Sequence, residues 1–160
     1  EPSGLAIDNE NGLLYVADTW NRRVSVFNLE GVPQFAFDVR GWYEDLGNRP
    51  YLAHDSQRHV LYVTDPDAGR VLVYDGQACS MTSIPRPSSP PANNSQFNTI
   101  GGIAVDAEGN VYVADSGAAR VLKFAPFVDT IMPQGEQSAF EELIQPLEET
   151  TEEVTVEPVG

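Results

Sequence analysis

Three aspartates, Asp18, Asp65 and Asp115, each stand five residues before an arginine, Arg23, Arg70 and Arg120. A carboxylate beside a guanidinium could serve as a general base, a metal ligand or an anchor for a charged ligand. The pairing recurs in each of three similar blocks, however, and a single active site has no use for three copies. An aspartate that ends a strand and starts a tight turn accepts backbone N–H groups two residues on. An arginine just beyond the turn can reach back to it. These six residues are therefore read as structural fasteners. His54 and His59 are the only histidines, and they lie in one hairpin, so no Ser-His-Asp or Cys-His arrangement follows from them. Asp65-Pro66-Asp67-Ala68-Gly69 is like the start of a calcium loop but lacks the later ligands and the closing Glu, and reads as an ordinary turn. His54, Asp65 and Asp67 remain the weak metal candidates, and neither a metal nor a cofactor is expected. Cys79 is alone and forms no internal disulfide.

The elements that carry these residues repeat. Gly-Leu-Ala-Ile-Asp (4–8), Leu-Tyr-Val-Ala-Asp (14–18) and Arg-Val-Ser-Val-Phe (23–27) form the first block. Tyr-Leu-Ala-His-Asp (51–55), Leu-Tyr-Val-Thr-Asp (61–65) and Arg-Val-Leu-Val-Tyr (70–74) form the second, and Gly-Ile-Ala-Val-Asp (102–106), Val-Tyr-Val-Ala-Asp (111–115) and Arg-Val-Leu-Lys-Phe (120–124) the third. The aspartates lie 47 and then 50 residues apart. A period of this length holding several short strands predicts an all-β fold, a β-propeller of about three four-stranded blades. Hairpin turns fall at 9–12 and 107–110, where Gly or Asn can take positive φ. Phe35, Phe37 and Val39 alternate along 34–39 and predict an outer strand; 80–84 and 127–132 are the corresponding segments of the other copies. The expected blades cover about 2–40, 50–85 and 100–132. Several strands are apolar on both faces, as blades stacked on both sides require.

Antiparallel order puts the loops entering each first strand and the turns joining the second strand to the third on one face. Both tryptophans fall there. Trp20, Asn21, Arg22, Arg40, Trp42, Tyr43, Arg49 and Asp67 are the candidate ligand- or partner-binding residues. Loops on a rigid scaffold concentrate function, and exposed Trp, Tyr and Arg are enriched at binding hot spots. The competing arrangement has Trp42 and Tyr43 folded back against the blade edge.

The run Gly-Ile-Ala-Val-Asp-Ala-Glu-Gly-Asn-Val-Tyr-Val-Ala-Asp-Ser-Gly (102–117), followed by Arg120-Val121, resembles an NHL repeat, and the likeness recurs three times over about residues 2–125. The second copy departs most, with Tyr51 for the usual Gly and His54 for an aliphatic residue. The resemblance implies a β-propeller, commonly of six blades, with mostly protein- or ligand-binding roles and an enzymatic minority. Related propeller lyases hold zinc with several histidines, whereas here only His54 falls on an inner strand. The expectation is a non-enzymatic binding module. A lyase or lactonase whose metal ligands lie largely outside this chain is the second reading, and a cell-surface structural repeat protein the third.

Closed propellers have about four to eight blades. Three blades are completed by blades upstream, by a second copy in a six-bladed homodimeric ring, or by another protein over the open faces. The chain opens on Glu1-Pro2-Ser3-Gly4 at the edge of a repeat and reads as a processed or excerpted piece. The formal net charge is −15. Residues 125–160 hold Asp129 and eight Glu and no Lys or Arg, so they carry more than half of it. Both regions repel phosphate backbones, so no nucleic-acid partner is expected. No run of about 18 apolar residues is present, so no membrane span is expected. Beyond the blades, 133–160 reads as an acidic tail or linker. Ser138 opens a capping box before a short helix over 138–147, limited by Pro146. Asn93-Asn94-Ser95 is a glycosylation triplet in an exposed loop. The tail composition and the resemblance lean toward an extracytoplasmic location.

Overall fold

In the computed structural model, residues 2–42, 49–76, 78, 80–84 and 97–127 are described. They form three antiparallel sheets, one for each copy of the repeat. The first holds β1 (Pro2–Asp8), β2 (Leu13–Asp18), β3 (Arg23–Asn28) and β4 (Pro33–Asp38). The second holds β5 (Leu52–Asp55), β6 (Val60–Asp65), β7 (Arg70–Tyr74) and β8 (Ser80–Ile84). The third holds β9 (Ile100–Val105), β10 (Val111–Asp115) and β11 (Arg120–Phe124). In every sheet the strands pair in chain order. This is the meander of a propeller blade, and the fold is an all-β partial propeller. Phe127 is not in a strand, and the rest of the outer strand anticipated at 127–132 lies outside the described residues. So do Tyr43, Cys79, the 93–95 triplet, the 138–147 helix and the acidic tail. No helix among the described residues is long and apolar enough to cross a membrane.

The innermost strands β1, β5 and β9 lie side by side in that order, so the second blade is the middle one. At the inner edge the backbones nearly touch. A Cβ at Gly4 would stand 2.6 Å from the Pro50 carbonyl oxygen, so only glycine fits there. The Ser3 hydroxyl donates to the same carbonyl at 3.1 Å.

Burial reports each blade's position. In the middle blade β6 is buried at all six positions, and β7 at four of five. In the first and third blades burial alternates along β1, β2, β10 and β11. A period of two means one face covered and one open. Two core clusters follow. One joins the first and second blades through Tyr15, Val24, Val26, Leu61, Val63 and Tyr74. The other joins the second and third through Tyr62, Val71, Val73, Val111 and Val113.

Candidate functional site

The three aspartate–arginine pairs are built alike. Arg23 Nε lies 2.9 Å from Asp18, Arg70 Nε 2.8 Å from Asp65 and Arg120 Nε 3.0 Å from Asp115. The residue before each arginine is left-handed: Arg22 (φ 55), Gly69 (φ 59) and Ala119 (φ 50). Its N–H closes the turn onto the carbonyl of Thr19, Pro66 or Ser116. The second oxygen of Asp115 accepts the N–H groups of Asn98 and Thr99 at 2.9 and 3.0 Å, tying the incoming loop to the blade. Those donors, with Arg120, outweigh burial and hold the Asp115 carboxyl below the ordinary carboxylate range.

On this face Trp20 stands at the tip of a short 3-10 turn, Thr19–Asn21, half exposed. Asn21 donates its amide to Asp18 at 2.8 Å, which fixes the turn beneath the indole. The Val39 N–H donates to the Arg22 carbonyl at 2.9 Å, bringing the segment of Arg40 alongside. Arg22 and Arg40 are exposed, as are Arg49 and Asp67 beside the second blade. Trp42 is different. It is 2 % exposed, packs in the core of the first two blades and donates Nε1–H to the Thr64 carbonyl at 3.0 Å. Its indole is therefore folded back and presents no face to a partner. Gly41 (φ 119) makes this possible, because a side chain there would meet Asp65 and Arg70.

The weak metal candidates do not converge. Asp65 is buried against Arg70, and Asp67 is exposed on its turn. The His54 ring stacks on Tyr15 with centroids 5.2 Å apart, its Nδ1 3.2 Å from the Ser56 hydroxyl and its Nε2 3.7 Å from Asp8. Burial pushes the imidazole pKa down, outweighing Asp8. Burial also pushes the Tyr15 hydroxyl up to about 12, with Asp8 adding to the effect. Among the described residues no three His, Cys, Asp or Glu side chains gather as a metal site.

Sequence reasoning passed over the opposite face. Between the first two blades lies a cleft of about 380 Å³ lined by Asp8, Asn11, Leu13, Tyr15, His59 and Gly76. The available signal was His59, which occupies the left-handed position (φ 53) that glycine holds at Gly12 (φ 65) in the first copy.

Comparison with known proteins agrees with this architecture. A chain in a crystal structure of the nidogen/laminin complex is 19 % identical with a TM-score of 0.60, covering 79 % of this chain and 44 % of that one. A streptogramin B lyase structure is 13 % identical with a TM-score of 0.51, covering 78 % and 40 %. Virginiamycin B lyase from Staphylococcus aureus is 11 % identical with a TM-score of 0.50, covering 78 % and 41 %. At these identities the likeness is one of fold, and the chain spans about two-fifths of each of these structures. No curated protein sequence matches it. Residues 1–27 and 97–124 match the NHL repeat. With its three blades in chain order, the chain is a partial β-propeller that carries NHL-repeat segments.

Proposed function

We propose that this chain is a non-enzymatic propeller module that binds a protein partner through the face carrying Trp20, Arg22 and Arg40. The observation that carries this reading is Trp20: a half-exposed indole on a turn fastened by Asp18, Asn21 and Arg23. A rigid aromatic anchor beside arginines loses little entropy when it is covered, which is what a hot spot needs. The similar chain in the nidogen/laminin complex belongs to a protein–protein assembly, which supports the same use of the fold. In this reading the ring is completed by further blades, from the same polypeptide or from a second copy. An extracytoplasmic location belongs to the same reading. The lyase reading rests on fold likeness alone and draws its metal ligands from outside the described residues.

Site-specific photo-crosslinking tests the proposal. A photo-reactive phenylalanine replacing Trp20 should give a discrete protein adduct in the native host. The same probe at Leu29, exposed on a turn at the opposite strand end, should not. Adducts identical at both positions, or none at position 20, would reject the Trp20 face as the binding surface.

A further inference from the structure

The turn after each innermost strand is built on an aspartate, and the three copies finish it differently. Asp8, Asp55 and Asp106 each accept two backbone N–H groups from the turn that follows. The other carboxylate oxygen distinguishes them. Between the second and third blades, Arg58 donates Nη1–H to Asp55 at 2.9 Å and Nη2–H across the seam to the Glu108 carbonyl at 2.8 Å. One guanidinium thus caps a buried carboxylate and joins two blades. Gly109 (φ 85) leaves the room, since a Cβ there would collide with Arg58.

Between the first and second blades the residue in register with Arg58 is Asn11. It donates its amide to Asp8 at 2.7 Å, and the same nitrogen lies 3.4 Å from His59 Nδ1 across the seam. The space that follows is the cleft of about 380 Å³. Its chemistry matches a planar cation. Asp8 supplies a buried carboxylate, and Glu10 stands beside it with its carboxylate 3.9 Å from His59 Nε2. Tyr15 and His59 line it with flat rings, and Gly76 leaves the wall open. Gln57 holds the register position of Glu108 in the repeat. His59 also keeps a left-handed backbone (φ 53), a strained conformation for a non-glycine residue of the kind that gathers at functional sites.

We propose that this cleft binds a guanidinium group from outside the chain, in the role that Arg58 fills from within at the next seam. A guanidinium suits it better than an ammonium, because its plane can lie along the rings while its edge donates to carboxylate and carbonyl. The site lies at the opposite strand ends from Trp20. It therefore stands apart from the proposed partner face, and Trp20→Ala should leave it intact.

The test is a titration of the 160-residue protein followed by 1H–15N spectra. The probes are N-ethylguanidinium, N-acetyl-arginine amide and, as the neutral isostere, N-acetyl-citrulline amide. Both guanidinium probes should shift amides of residues 8–15, 57–60 and 76, and citrulline should bind about tenfold more weakly, the effect of one charge-assisted contact. Tighter binding of the arginine amide assigns the group to a partner's side chain, and equal binding of the two assigns it to a small guanidinium compound. Asn11→Arg places the counterpart of Arg58 in the cleft, so it should preserve the fold and weaken both probes about tenfold or more by filling the site. Glu10→Gln should weaken them several-fold. Shifts elsewhere or none, citrulline binding as well as arginine, or a folded Asn11→Arg protein with unchanged binding would each overturn the proposal.

Discussion

His54 shows how a single buried group can set the pH range of a fold. Its side chain is 1 % exposed, stacked on Tyr15 and close to Asp8 and Ser56. Burial lowers its pKa from the ordinary 6.5. Asp8, Asp55 and Glu10 pull the other way, and His59 adds to the lowering. The unfolded chain therefore takes up this proton at a higher pH than the folded one. Stability from His54 is fully present above about pH 6.5 and falls as the pH drops through that value toward the folded pKa. Asp8 acts in a separate window. Burial would raise its pKa, but the bonds from Asn11 and Glu10 and the nearby His54 outweigh that, so its share is lost only below its ordinary 3.8. Urea midpoints should fall between pH 7.5 and 5.5, and His54→Phe should flatten that slope relative to the parent. A parental midpoint that is level or rises toward acid would remove His54 as the cause. The two tryptophans mark how far single residues could be read from the sequence. Both stand in loop segments of the same face, and the glycine before Trp42 does not by its presence reveal which indole is buried. Only the left-handed Gly41, which turns the next residue inward against Thr64, makes Trp42 a core residue while Trp20 stays outside.

At the scale of strands, the three copies look alike in sequence and differ in what covers them. Leu61 in β6 and Val121 in β11 are both aliphatic residues within a repeat block. Yet Leu61 is 2 % exposed and Val121 is 66 % exposed. Leu61→Ala should therefore cost about 2–5 kcal/mol, as a truncation in a close-packed seam. Val121→Ala should stay within about 0.5 kcal/mol, as a surface change. Urea unfolding of both variants measures the difference, and equal costs would mean that the third blade's outer face is covered in solution. The strands were legible because alternation and turn residues are local signals. The outer strand expected at 34–39 is found at Pro33–Asp38, one residue earlier. The doubly apolar character of the strands correctly implied stacked blades. It could not say which face of which blade is open, because that depends on a neighbour's presence and not on the strand's own residues. The cleft over Asp8 was hidden for a related reason. It lies where Asn11 meets Asp8 and His59, while at the next seam Arg58 meets Asp55 and the Glu108 carbonyl, and that contrast emerges only when equivalent seams are compared in space.

The described residues form an arc of three blades whose two end faces differ. The first blade presents Leu5, Ile7, Leu14, Val16 and Phe27. The third presents Ala104, Tyr112, Ala114, Val121 and Lys123, with the Lys123 ammonium 5.3 Å from the centre of the Tyr112 ring. In repeat register, the first set corresponds to the side of the second blade that packs on the first. The second set corresponds to the side of the second blade that packs on the third. In register the open faces match the two sides of the seam made twice inside the chain, with Lys123 standing where Val26 and Val73 are buried, so each face corresponds to the other's partner rather than to its own. Two copies can then meet head to tail but not face to like face. Leu5 and Ile7 are 62 % and 49 % exposed, an apolar surface that favours such contact. The 160-residue protein should therefore associate in solution, and Leu5→Asp and Val121→Asp should each weaken association when present in every copy. Mixing the two variants should restore one intact seam, because the first keeps its Val121 face and the second its Leu5 face. Light scattering after size exclusion would show a dimer in the mixture and monomers in the separate samples. Association that survives in either variant alone, or a mixture that stays monomeric, would show that the arc does not close by its own complementary faces.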